Sequence, residues 1–508
     1  MWIIKQIKIS IFNFFLYHHN LGIKTLGGYI MSIKDKIKNA WKSHKAYNTA
    51  SLVADKEGKA KLSEVSDGVS NDDKGITRRK LLQLGGGAGL GLGALAALNQ
   101  GVSTASAASG KPIPIGSMYP LTGWAAADGA GYKRGIELAC EEINDYGGIL
   151  GRPLENHYVD TKDMSAAEVT AAANYLIDKH EVHAIINGYN IGPNDAEYEP
   201  IADAGIIYMH VNTAIQHHNT VASNPDRYFG CFMADPAEYW YGAGYITMLA
   251  DLRDQGVWDM PNNKVALIIG SIPYSVVIAN AMKDAAPGRG FDIAFDEVVQ
   301  TPTTEWGPVL AKVRKVNPGA IANTHFFAGD IAQCQVQFVE NPTNSLFYYQ
   351  YGALLKSFRD IAGDASVGAM TGTVDGLLSD DYSRTYVNAH KKKFGPDADY
   401  QPGGLSYGPM HHYALAAAIA GGTGEPGDYD QNRKIAWALK TFTYRGPNGS
   451  YWYHPEHQAT MPYPTWTRDP SLGHPHMLQQ IQDKNKDPVV IYPEPYVVGN
   501  YQVPPWFK

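Results

Sequence analysis

Two successive blocks of alternating strand and helix signals constrain this chain more than any other feature. The first opens with the apolar run Pro112–Tyr119, passes through a helical pattern, "GIELACEEIN", that stops at Gly147-Gly148, and continues into the strand "LENHYVD". A second helix begins at Ser165-x-x-Glu168, the spacing of a capping box. The strands "AIING" and "IIYMHV" follow, with a helix between them. The rhythm restarts at Lys264 with "KVALIIG", "SVVIANAMKDAA", "FDIAFDEVV", "WGPVLAKVRKV", "AIANTHFF", "IAQCQVQFV" and "LFYYQYG". Such alternation specifies a parallel sheet with crossover helices. Two blocks specify two similar α/β lobes. Residues 446–508 abandon the rhythm for proline, glycine, tyrosine and histidine, as a segment that wraps a surface or crosses between lobes would.

Ligands of open α/β sheets bind at the carboxyl ends of the strands. Six loops occupy such positions: Tyr119–Gly131, Gly188–Asn194, His210–Ala214, Gly270–Ser275, Thr324–Gly329 and Tyr348–Gly352. With two lobes they face one another across a cleft. They are rich in aromatic side chains, among them Trp124, Tyr189, Tyr274, Phe326, Phe327, Tyr349 and Tyr351.

Upstream lies "ITRRKLLQLGGGAGLGLGALAAL", residues 76–98. A membrane-spanning helix needs about 20 apolar residues, and six glycines between Leu81 and Leu98 make this a poor one. A dinucleotide loop needs G-x-G-x-x-G between a strand and a helix, and Gly87-x-Gly89-x-Gly91-x-Gly93 lacks that spacing. The paired Arg78 and Arg79, the mildly apolar run and the small-residue exit Ala105-Ser106-Ala107 resemble a twin-arginine export signal. The reading predicts periplasmic delivery by the twin-arginine translocase and cleavage after Ala107, with an uncleaved anchor as the alternative. Residues 1–75 form an extension without fold signals, and Met31 is an alternative start.

Up to residue 107 the chain carries 15 Lys+Arg against 7 Asp+Glu. With the whole chain at −7, residues 108–508 sit near −15. That balance argues against nucleic acid or anionic lipid as partners. Cys140, Cys231 and Cys334 are odd in number and lack C-x-x-C spacing, which disfavours a zinc site or a disulfide scaffold. One long-range disulfide stays open. No metal or other cofactor is expected.

The stretches "YPLTGWAAADG", "GIELACEEINDYGGILGRP" and "GIIYMHVNT" resemble the periplasmic leucine/isoleucine/valine- and amide-binding proteins of ABC importers, over nearly all of 112–508. The resemblance implies a two-lobe type I binding fold: parallel sheets flanked by helices, three crossovers, and hinge closure on a small ligand. It implies a monomer that works with a membrane permease and its ATPase. Lobe I is expected at 108–234 plus about 365–445, and lobe II at 235–364 plus about 446–508. Ligand-binding residues carried over or offered by the loops are Trp124, Asp128, Tyr189, Asn190, Asn212, Thr213, Tyr274, Phe326, Phe327 and Tyr351. Two positions depart from the amino-acid-binding pattern. Ile191 stands where the family's carboxylate-gripping serine aligns, and Tyr351 where its acidic residue balances an ammonium. A buried charge without a partner is costly, so a neutral amide or similar solute is expected ahead of a free amino acid. Asp128 is the acidic residue in these loops able to pair with a cation.

One hydrolase motif is present, Gly404-Leu405-Ser406-Tyr407-Gly408, matching G-x-S-x-G. A nucleophile elbow needs a strand before it, and "GPDADYQPGG" is not one. The paired histidines lack metal-site spacing; His210, at a strand end, is the histidine singled out for attention. The leading expectation is therefore a non-enzyme that feeds an importer. A ligand sensor on the same fold and a serine hydrolase using Ser406 are the alternatives.

Overall fold

The structure, a computed structural model, describes residues 108–190, 195–374, 376–462 and 473–508. The export stretch with Arg78, Arg79, Ala105 and Ala107, the extension before it, and Ile191 lie outside the described residues.

The first sheet runs β2-β1-β3-β4-β5, every pairing parallel: β1 Ile113–Tyr119, β2 Leu154–Asp160, β3 Ala184–Ile186, β4 Ile207–His210 and β5 Cys231–Met233. Helices α1 (Ala126–Asp145), α2 (Ala166–His180), α3 (Tyr198–Ala204) and α4 (Ile215–Ser223) connect its strands. The residues of β3 and β4 are all buried, as a parallel sheet covered on both faces requires. The helix expected after Ser165 starts there, but the Ser165 hydroxyl makes no capping bond and Glu168 pairs with Lys162 at 2.9 Å instead.

The chain then crosses to a second sheet through α5 (Tyr239–Asp254). Five strands alternate with helices there: β6 Lys264–Gly270, α6 Pro273–Ala285, β7 Asp292–Val299, α7 Gly307–Val316, β8 Ala320–Asn323, α8 Ala328–Val339, β9 Leu346–Gln350, α9 Lys356–Ala362 and β10 Met370–Thr373. It returns to the first lobe for α10 (Asp381–Phe394), α11 (Gln401–Ile419), α12 (Tyr429–Thr441) and the hairpin β11 Tyr444–Gly446 with β12 Gly449–Tyr451. Tyr444, Tyr451 and Tyr453 pack into the same core as β1, β3 and β4. The tail crosses back as β13 Met477–Gln480 and β14 Val489–Tyr492, giving the order β14-β13-β10-β9-β8-β6-β7.

Three passages between lobes result. The second sheet is not wholly parallel: β13 runs antiparallel to β10, and β14 to β13. These strands come from the tail without a crossover helix, so nothing forces them into the parallel direction. β10 sits in the second sheet, which places the return after Thr373, and the hairpin's packing places the last passage after Tyr453. Cys140, Cys231 and Cys334 are all buried and free. Among the described residues no helix is long and apolar enough to cross a membrane.

Candidate ligand-binding cleft

Carboxyl-terminal strand ends from both lobes converge on one cleft of about 370 Å³, counting space open to solvent. The first lobe contributes Tyr189 after β3, Val211, Asn212 and Thr213 after β4, and Leu405 from α11. The second contributes Tyr241 from α5, Tyr274 after β6, Phe326 after β8 and Tyr351 after β9. Among the described lining residues there is no lysine, arginine or histidine.

Backbone strain marks two of the cleft loops, one from each lobe. Thr213 and Tyr351 hold φ of 56° and 50°, a region non-glycine residues enter at a cost and most often at functional sites. Gly352 lets the Tyr351 loop lie against the Phe326 loop, because a Cβ there would sit 2.0 Å from the Phe326 carbonyl oxygen.

Asp128, on α1, bridges the lobes. Its carboxylate accepts the Tyr189 hydroxyl at 2.6 Å from its own lobe and the Tyr351 hydroxyl at 3.0 Å from the other. Burial pushes this carboxyl up to about 6, while the two tyrosine hydroxyls pull it down. It stays mostly ionised at neutral pH. Beside it Trp124, 43% exposed, stacks on Phe327 of the second lobe with centroids 4.1 Å apart. Phe326 lies edge-on to Tyr274 at 5.0 Å. The Tyr274 hydroxyl accepts Gln350 Nε2 at 3.0 Å, and Gln350 Oε1 accepts the Tyr348 hydroxyl at 2.7 Å.

Further acids support the first-lobe wall from behind. Asn212 donates to Glu197 Oε1 at 3.2 Å and accepts the main-chain N–H of Asn190 at 2.7 Å. Thr213 donates to Asp235, and Glu238 accepts the main-chain N–H of Ile215. Burial is the main reason the Glu197 carboxyl rises to about 8 and that of Glu238 to about 7. His210 is fully buried, touches Tyr198 and accepts the Asn212 N–H at 3.2 Å. It shapes the loop without lining the cleft.

The arrangement of two facing lobes is one that a known family shares, and the periplasmic binding protein pattern matches residues 112–467. The chain belongs to the periplasmic binding protein family. It is similar to a solved structure from Silicibacter pomeroyi, provisionally named a branched-chain amino acid ABC transporter: 45% identity, TM-score 0.74, 78% of this chain and 100% of that one. A leucine-binding protein from Thermotoga maritima MSB8 shares the fold at 18% identity, TM-score 0.57, over 74% of this chain and 97% of that one. A Leu/Ile/Val-binding protein homolog 8 from Brucella suis biovar 1 (strain 1330) is 26% identical over 225 residues, 44% of this chain and 54% of the relative. The chain thus spans about half the length of the curated relatives it matches.

For a periplasmic binding protein the placement of the expected residues is informative. Tyr189, Asn212, Thr213, Tyr274, Phe326 and Tyr351 line the cleft, and Trp124, Phe327 and Asp128 flank it. Asn190 does not reach it: its side chain is buried, donating to the Met118 carbonyl and accepting the Thr161 hydroxyl at 2.7 Å. Tyr241, Val211 and Leu405 were not singled out by sequence. Tyr241 falls in the aromatic run Tyr239-Trp240-Tyr241 just after a crossover, a cluster that could have flagged it.

Ser406 sits inside α11, fully buried, donating to the main-chain carbonyls of Tyr132 at 2.8 Å and Gly403 at 3.2 Å. The strand–turn–helix geometry of a nucleophile elbow is not formed there.

Proposed function

We propose that this protein is the substrate-binding component of an ABC importer, capturing a small polar solute of the branched-chain amino acid and amide class and delivering it to a membrane permease. The observation that carries the ligand preference is the cleft lining, where no described cationic side chain can meet a carboxylate. Unpaired, a buried carboxylate costs several kcal/mol. Neutral amides should therefore bind better than free leucine, isoleucine or valine. Calorimetry against a panel of both classes tests this; micromolar binding of the amino acids with no amide response would overturn it. Delivery to the periplasm would follow from the paired Arg78 and Arg79. Replacing both with lysine should leave the precursor in the cytoplasm, which fractionation would detect, and normal processing of that variant would remove the twin-arginine route.

A further inference from the structure

The rings of the cleft stand close to right angles. Tyr241 meets Tyr274 at 70° with centroids 6.0 Å apart, and Tyr274 meets Phe326 at 73° and 5.0 Å. Tyr189 and Tyr351 complete the aromatic part of the lining, both anchored on Asp128. Ring faces are negative and attract a desolvated cation. The carboxylate of Asp128, held between the Tyr189 and Tyr351 hydroxyls at the edge of the cleft, has the same sign. Among the described residues, neither Asp128, Glu197 nor Glu238 forms an ion pair with a lysine or arginine, and none of those cations lines the cleft.

We infer that the cleft also takes an organic monocation whose nitrogen carries methyl groups in place of N–H bonds, held by the rings of Tyr241, Tyr274 and Phe326 and by the carboxylate of Asp128. Methylation matters because a bare ammonium brings three donors that must each find an acceptor on leaving water. A methylated nitrogen has none to satisfy, so ring faces and one nearby carboxylate suffice. The inference rests on the cleft being the solute site and adds a second carboxylate-free class to it.

Choline and its neutral carbon isostere 3,3-dimethylbutan-1-ol have nearly the same shape and differ in charge. Titrated into the protein by calorimetry, choline should bind about tenfold more tightly than the isostere. Asp128→Asn and, separately, Phe326→Leu should shrink that ratio toward one. The second variant keeps an apolar side chain in place and carries the test if the first fails to fold. Equal affinity for the two compounds, or a ratio unchanged in both variants, overturns the cation. Binding of acetamide without binding of choline overturns this inference alone and leaves the solute site standing. Absence of binding by all three, together with silence from the panel of amides and amino acids, overturns both.

Discussion

Tyr274 joins several parts of the cleft. Its ring meets Tyr241 and Phe326, and its hydroxyl is fixed by Gln350. Tyr274→Ala removes the apolar area and a polar contact together, so binding should weaken by about 1–3 kcal/mol. Tyr274→Phe should recover most of the loss, and an unchanged dissociation constant in the alanine variant would take Tyr274 out of the site. Glu197 makes a different prediction, in stability. Its carboxyl rises from an ordinary glutamate value to about 8 when folded. A raised carboxyl binds its proton more tightly in the folded state, so the stability it supports is complete below about pH 4.5 and is lost as pH climbs through 8. Glu197→Gln keeps an oxygen to accept Tyr208 and Asn212 and cannot ionise. It should raise the melting temperature at pH 7 and above, with the gain vanishing near pH 4.5. Melts across that range check it, and a pH-independent change would point to packing.

At the scale of elements, the motif Gly404-Leu405-Ser406-Tyr407-Gly408 is part of a helix-packing seam. α11 is buried nearly throughout, as a helix apolar on every side must be. It approaches α1 so closely that a Cβ on Gly135 would lie 2.1 Å from the Gly403 carbonyl oxygen and 2.5 Å from Ser406 Oγ. Backbone cannot yield as a side-chain tip can, so Gly135→Ala should cost about 1–3 kcal/mol or more, read as a lower urea midpoint. Ligand affinity should fall with it, because Leu405 on α11 lines the cleft. This seam shows where legibility in the sequence stopped. The alternation of periods identified β1 to β4 and β6 to β9 with helices α1 to α3 and α6 to α8, since each depends on neighbours in the chain, and it passed over β5, α4 and α5. The glycines of α1 and α11 act across 268 positions between Gly135 and Gly403, and periodicity says nothing about contacts at that range. The same holds for Asp128, whose partner Tyr351 is 223 positions away. Sequence placed both residues in loops at strand ends, but it assigned Tyr351 as the loss of an acid. The structure places an acid beside it, supplied from the opposite lobe.

For the whole molecule the question is what holds two lobes together when only three short passages connect them. Among the described residues, several contacts bridge them. Trp124 stacks on Phe327, Asp128 accepts Tyr351, the main-chain N–H of Lys356 donates to Asp399 at 3.2 Å, and Tyr400 donates to Asp487. An aromatic pair of this kind contributes about 0.5–1.5 kcal/mol beyond its area, and a hydrogen bond to a carboxylate about 1.5–3 kcal/mol. Each of these contacts can be exchanged for water on opening, and a ligand touching both walls shifts the population toward closure. Saturation at a hundredfold excess over the dissociation constant should add about 2.7 kcal/mol of stability, because the unfolded chain has no site. Trp124→Ala separates the parts of this account. Removing the stack favours the open form while every lining side chain is kept, so affinity should fall by about twofold to tenfold through a smaller competent fraction. The ligand-free variant should scatter as a larger particle than the ligand-free parent, and both should reach the same compact radius with saturating ligand. The variant would therefore show the larger contraction. One radius for both proteins, with and without ligand, would mean that the lobes do not hinge. The bridging contacts would then be a fixed part of the fold, and the ligand would have to reach the cleft past Trp124 at its rim.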